Sequence, residues 1–452
     1  MNKSIPLAAA LVALPLVGGC VSSVPDLQPE RMVADAASLD SAITLRDGRE
    51  PLDVADPLPT PLTRAAAAEL AVRNSPAMQA ALADVRAALA DAEQARLLSN
   101  PVLDLNVRFG GEDEVIEAGL AQPLIDLLRR PAASRAADAR LRASAQRAVI
   151  TALDELRDVN RTYAAAVIAD ERLSLLDRQA ELLDRLLDVA NQRQQAGEAT
   201  TLDVAGFRAR RAALDAQAIL RRADRRSARL TLLRLIGRPS GNVEFQLKPL
   251  GEATPLLAER EYLLTALSAR PEVQAATFEL AALGEDVTLA GLSPFDGLGV
   301  GAELESADET EAGPSISVPI PIFDFGTQRK ERARAEVIAA RHRLTGVSRQ
   351  VVEEVRQART AAVAADEAVA AVTDTLLPLQ RERVEQTRAA YRAGFADVTD
   401  VLAAEQDLLD ADAQLIDARL GRSDAEADLL RATGGVPDDV ASAEPDVPVG
   451  TE

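Results

Sequence analysis

The chain has 452 residues, 47% hydrophobic and 27% charged, the balance of a folded protein long enough for more than one domain. Its formal net charge of −21, from 71 Asp and Glu against 50 Lys and Arg, argues against nucleic acid as a partner. Aromatic residues are only 2% and Trp is absent, which disfavours a compact aromatic core and favours closely packed long helices rich in Ala and Leu.

The first residues read as a secretory signal, because Lys3 precedes an apolar run from Ile5 to Val17 and then Gly18, Gly19 and Cys20. That run is too short to cross a bilayer comfortably. Val17-Gly18-Gly19-Cys20 resembles the bacterial lipobox, so residues 1–19 are expected to be removed and Cys20 to carry a covalent lipid. Cys20 is the sole cysteine, which leaves no internal disulfide. Val21 follows it in place of an aspartate, and the outer membrane is the expected destination. Beyond the signal no apolar run approaches the ~20 residues of a spanning helix, so any integral membrane contact has to come through strands.

Residues 20–61, rich in Pro and Asp without lasting periodicity, read as an extended arm leading from the lipid anchor. From Leu62 to Ser99 the pattern is helical, interrupted at Pro76 and ended by Asn100-Pro101, since a residue before proline avoids the helical region. Residues 102–123 read as a β-hairpin. Leu103, Leu105, Val107 and Phe109 alternate with Asp104, Asn106 and Arg108, and Ile116, Ala118 and Leu120 flank Glu117, giving each strand one apolar and one polar face. After Pro131, placed at a first helical position, a helical stripe through Val149, Leu153, Leu156, Val159, Tyr163 and Val167 continues to about Gly197. A helix of that extent would be on the order of 95 Å long. Ala196-Gly197 breaks it, and a return helix starts near Thr200 to Asp203 and runs to about Ile236, before Gly237.

The same order then recurs, so that residues 62–237 and 263–435 are two repeats joined by a connector, 238–262. Pro271 follows Pro76 by 195 residues, Pro294 follows Pro101 by 193, Asp324 follows Asp126 by 198, and Gly394, Asp400 and Gly434 follow Gly197, Asp203 and Gly237 by 197. The second hairpin, 297–321, alternates Leu298, Val300, Ala302 and Leu304 with Gly299, Gly301, Glu303 and Glu305, and Ile316, Val318 and Ile320 with Ser315, Ser317 and Pro319. Residues 436–452 read as a disordered tail.

Four amphipathic strands cannot close a barrel alone, and in a membrane only a closed barrel satisfies their edges. Three chains would supply about twelve strands, wide enough for a wet lumen, so a homotrimer is expected. In it the apolar positions face lipid, and Asp104, Asn106, Arg108, Glu117, Glu303 and Glu305 face the lumen.

The duplicated unit, the lipobox, Pro123-Leu124-Ile125-Asp126, Pro321-Ile322-Phe323-Asp324, and the Tyr391-x-x-Gly394 turn followed by Asp400-Val401-Leu402 resemble the TolC family of outer-membrane efflux proteins. The resemblance covers nearly the whole mature chain. It implies a mainly α fold with a small β part, in which long antiparallel helices of three chains form a periplasmic α-barrel and four strands per chain share a 12-stranded outer-membrane β-barrel. It also implies a passive conduit served by a periplasmic adaptor and an inner-membrane pump of RND type. By the same match Asp400, and with it Asp203 and Tyr391, would line the periplasmic aperture. The family's second aperture aspartate and latch arginine are Ala403 and Ala396 here, so fewer charged contacts are expected to hold the aperture closed. Helix capping explains both aspartates equally well: each sits at a third helical position behind the caps Thr200 and Asp397, where an acid favours the helix dipole.

Nothing in the residue inventory suggests an enzyme, a metal site or a cofactor. There is one His, His342, in a polar run; the one Cys is assigned to lipid; and no Gly-rich loop has the phosphate-cradling arrangement. Adjacent acids such as Glu353-Glu354 read as a solvated helix face. The alternatives left open are a structural periplasmic coiled-coil lipoprotein with a soluble sheet, and a type I protein secretion channel of the same family.

Overall fold

The computed structural model describes residues 24–39, 42–49, 51, 58–109, 115–197, 200–251, 255–306 and 310–435. The signal, Cys20, the tail and the hairpin tips at Gly111 to Glu114 and 307–309 lie outside these. The elements run α1 (Pro29–Ala36), α2 (Arg64–Asn74), α3 (Pro76–Gln94), β1 (Val102–Arg108), β2 (Val115–Pro123), α4 (Ile125–Gln195), α5 (Thr201–Leu235), α6 (Glu259–Ala269), α7 (Pro271–Leu292), β3 (Gly299–Ser306), β4 (Thr310–Ser317), α8 (Thr327–Ala370), a π-helical stretch Ala371–Leu376, α9 (Leu377–Arg392) and α10 (Val398–Thr433). Long antiparallel helices with four strands are therefore what the chain forms.

The duplication is visible in the punctuation. Ser75 and Arg270, each before a proline, have extended backbones (ψ 123° and 121°), so α2/α3 and α6/α7 break at the same place. Gly197 and Gly394 end the outgoing helices at φ 79° and 78°, in the left-handed region where a side chain would be strained.

Four expectations are corrected. The arm is not wholly extended: Pro29 opens α1, which buries Val33 and Ala34. α3 stops at Gln94, short of Ser99, because Arg96 folds back, donating from Nη1 to Ala92 O (2.6 Å) and from Nη2 to both oxygens of Asp138 (2.8 Å each). Pro131 lies inside α4, six residues past its start. The start is set instead by the sheet, where Leu124 N donates to Leu298 O (2.8 Å). β4 ends at Ser317, short of Ile320, just ahead of Pro319, which has no N–H for a ladder bond.

By contacts the chain divides into two units. One, built from Arg86–Arg142 and Phe278–Ala340, holds the sheet. The other, built from Gln28–Val85, Ala143–Thr277 and residues 341–435, holds most of the helix packing. An apolar cluster there joins α2, α4 and the end of α5 through Ala67, Ala71, Val159, Tyr163, Leu232 and Ile236. The Tyr163 hydroxyl bridges the carbonyls of Leu62 (2.9 Å) and Lys248 (2.7 Å), pinning the connector to the start of the first repeat. A second cluster packs α6, α8 and α10 through Ala266, Val355, Ala362 and Leu429.

Candidate functional site

In the sheet unit the order is β1-β2-β3-β4, all antiparallel. Residues directly opposite across antiparallel strands point to the same face, so the register decides what gathers. Leu103, Leu105 and Val107 lie opposite Leu120, Ala118 and Ile116, and the same face continues through Ala302 and Leu304 to Pro314 and Ala312, with Val300 and Ile316 paired. This apolar face is open: Leu103 is 70%, Leu105 68% and Ile316 74% exposed. The opposite face gathers Asp104, Asn106, Arg108, Glu117, Glu303 and Glu305, all six residues expected there. Glu311 joins them, opposite Glu305.

Asn106, Glu117, Glu305 and Glu311 form one row across the four strands. Like charges directly opposite are destabilising, so a row with three carboxylates needs water or cations around it. Arg108 offsets part of this charge by pairing with Glu117, and Asn106 Nδ2 donates to Glu117 Oε2 at 3.3 Å. Gly301 leaves room on this sheet, since a Cβ there would come within 2.5 Å of Leu120 O. Among the described residues no strand pairs with the outer edge of β1 or of β4.

The second assembly is at the glycine turns of the helical unit. Tyr391 lies one residue before the end of α9 and is about half exposed. Its carbonyl accepts from Gly394 N (3.0 Å), closing the turn. Asp397 caps α10, accepting from Val398 N (2.6 Å), while Asp400 accepts from Asp397 N (2.8 Å). Capping is thus a structural role of Asp400, whose side chain is also exposed. Asp203 is in the first turn of α5, and its side chain lies outside the described residues.

The two turns are neighbours, a fact with no signal in sequence spacing. Arg193, at the end of α4, donates to Asp397 Oδ1 (2.7 Å), and a cavity of about 400 Å³ is lined by Arg193, Leu202 and Phe207 from the first repeat and Asp397, Val398 and Leu402 from the second. The link continues along both helices: Arg178 to Asp412 (3.2 Å), Arg172 to Asp417 (2.6 Å), Arg161 to Asp424 (3.5 Å) and Asp154 to Arg431 (2.7 Å). As the residue number falls on α4 it rises on α10, the signature of an antiparallel pair in fixed register. Between them pack Ile168, Leu175 and Ile416. Burial raises the Asp424 carboxyl above the usual aspartate range, against the Arg161 charge and with help from the Asp428 charge.

A buried charge cluster joins these helices at their far end. Arg270, 4% exposed, donates to Glu272 (2.8 Å), to Glu354 (2.7 Å) and to Ala432 O (2.8 Å). Arg431 donates to the same Glu272 (2.6 Å). Burial would raise the Glu272 carboxyl, but the hydrogen bond from Arg270 and the Arg431 charge together hold it below its ordinary range. Glu354 is therefore part of an ion-pair network rather than a solvated face, while His342 is exposed.

A duplicated set of long helices and a small sheet, apolar and exposed on one face, acidic on the other and without a further strand at either edge among the described residues, fits a membrane-channel class of protein. The chain belongs to the outer membrane efflux protein family, whose model matches residues 67–238 and 263–435. It is accordingly an outer-membrane protein. It is 28% identical over 324 residues to the pyoverdine export outer membrane protein OpmQ of Pseudomonas aeruginosa, a match that takes in 68% of this chain and 66%, just under two thirds, of that protein. It is 24% identical over 375 residues to the cobalt-zinc-cadmium resistance protein CzcC of Cupriavidus metallidurans, covering 78% and 85% of the two chains. The fold matches that of the outer-membrane channel OprN with a TM-score of 0.68 at 22% identity, over 82% of this chain and 89% of that one.

Proposed function

We propose that three copies of this chain join their sheets into one 12-stranded barrel in the outer membrane and their helices into a periplasmic α-barrel, making a passive export conduit. The observation that carries this is the sheet: its apolar face is exposed, its opposite face is acidic, and both edges lack a partner strand among the described residues. A soluble spacer would have to leave that apolar face in water, at a cost of roughly 25 cal/mol for each Å². Asp104, Asn106, Arg108, Glu117, Glu303 and Glu305 then line the lumen, and Asp400, Asp203 and Tyr391 the periplasmic aperture. Cys20 carries the lipid that adds a second attachment to the membrane. Solutes reach the conduit from an inner-membrane pump of RND type through a periplasmic adaptor. One relative is named for pyoverdine export and another for cobalt-zinc-cadmium resistance, so family membership leaves the solute to pump and adaptor.

Cysteine pairs test the closure. Within one chain β1 and β4 are three strand spacings apart, about 14 Å, too far for a disulfide. A scan placing one cysteine at Asp104, Asn106 or Arg108 and one at Glu311 or Ser315 should therefore give only interchain bonds and a covalent trimer. Absence of interchain bonds throughout the scan, with a monomer mass in detergent, would contradict the barrel.

A further inference from the structure

The sheet unit has an incomplete set of membrane anchors. Its exposed aromatic residues are Phe109, Phe295, Phe323 and Phe325, with Phe323 96% exposed. The chain has no Trp, and its three Tyr (Tyr163, Tyr262 and Tyr391) all belong to the other unit. Interfacial Trp and Tyr ordinarily supply an apolar ring and a bond to a lipid headgroup together, whereas Phe supplies only the ring. Headgroup contact at this belt must come from other donors.

Such donors follow the sheet in both repeats. At the start of α4, exposed Leu127 and Leu128 are followed by Arg129 and Arg130; at the entry to α8, exposed Ile322, Phe323 and Phe325 are followed by Arg329 and Lys330. Two of the four cations are engaged: Arg129 with Asp296, and Arg329 with Asp324 (2.7 Å) and Ser293 Oγ (2.7 Å). The side chains of Arg130 and Lys330 have no ion-pair or hydrogen-bond partner among the described residues, and Lys330 is exposed. Lysine and arginine can lay their carbon stems along apolar surface while holding the charge at the polar boundary.

We propose that Arg130 and Lys330 bind the phosphates of phospholipids in the periplasmic leaflet, forming a basic collar beside the Phe and Leu belt. The occupant follows from charge complementarity and from chain order, since Leu127 and Leu128 follow β2, and Ile322 and Phe323 follow β4, within a few residues and are exposed as the apolar strand residues are. A chain of net charge −21 is repelled by an anionic leaflet unless cations are placed locally where it enters. The inference rests on the reading of the sheet as part of a membrane barrel.

Native mass spectrometry of the purified channel, titrated with dioleoylphosphatidylglycerol and separately with dioleoylphosphatidylethanolamine, tests it, with planar-bilayer recording on the same preparation. Arg130→Gln and Lys330→Gln should each weaken phosphatidylglycerol binding by about five-fold, and the charge-keeping pair Arg130→Lys with Lys330→Arg should retain it. Phe323→Ser should weaken both lipids alike. Conducting Gln variants that bind phosphatidylglycerol as the parent does would overturn the collar alone. A parent protein that never conducts would instead overturn the barrel reading beneath it.

Discussion

In the first repeat α4 runs unbroken for 71 residues, whereas its counterpart in the second is divided into α8, the π-helical stretch Ala371–Leu376 and α9. The cause is local. Pro378 has no N–H to offer the carbonyl of Asp374 and its ring crowds that carbonyl, and the helix widens ahead of it, with Leu377 N donating to Val372 O. Pro131 does less harm in α4 because it lies near the start, where the sheet holds the chain. The buried position before the conserved break differs as well. Ser75 Oγ donates to Glu155 (2.8 Å) and accepts from Met78 N (3.2 Å), whereas Arg270 sits in a network of carboxylates. Duplication has kept the punctuation and changed the joints. The second repeat has the jointed long helix, and its α10 is held to the unbroken α4 by arginines from end to end.

Replacing the two buried anchors should separate the repeats most clearly. Arg270→Ala leaves Glu354 without its arginine and Glu272 with Arg431 alone, and should cost about 3–5 kcal/mol in urea unfolding, against about 1 kcal/mol for Ser75→Ala. Equal losses would erase the distinction. The same network predicts a pH dependence. Because Glu272 is held low in the folded state, the unfolded chain binds more protons, and the stability it adds is complete above the usual glutamate range and lost as pH falls through the lowered value. Arg270→Ala should flatten that acid limb.

Pro378→Ala tests the joint itself. An interior proline costs about 3 kcal/mol, part of which the π geometry relieves, so the substitution should slow amide exchange across 371–376 by roughly tenfold, toward the rates of α4. Unchanged exchange would mean that the proline does not cause the joint. Asp400→Ala removes half of a capping box, worth about 1 kcal/mol, and should raise single-channel conductance. A stability loss with conductance unchanged would leave Asp400 a cap only. The smallest effect is expected at Asp424, whose raised carboxyl lowers stability as pH rises through it. Asp424→Asn should therefore add a few tenths of a kcal/mol at neutral pH, measured as a shift in the urea midpoint.

Residue spacing carried the architecture far because its determinants are local. Pro76 and Pro271 mark helix breaks, Gly197 and Gly394 mark turns, and period-two alternation assigns Leu103, Leu105, Asp104 and Asn106 to their faces before any partner strand is known. Glu311 escaped because the first half of its strand, Thr310 to Pro314, carries no apolar alternation to reveal it. The Arg193–Asp397 contact and the α4–α10 pairing escaped for a different reason: they join residues more than 200 positions apart, and each arginine has several acids at helical spacing to choose from. The joint at Pro378 escaped as well, because whether a proline within a helix kinks or widens it depends on the packing around it.

The exposed sheet should close between chains into a wet pore. Single-channel recording of the detergent-extracted protein in a planar bilayer, with its mass determined in the same detergent, tests it most directly. Discrete cation-preferring channels from a species of three chains are expected. A monodisperse monomer that inserts no channels would contradict it.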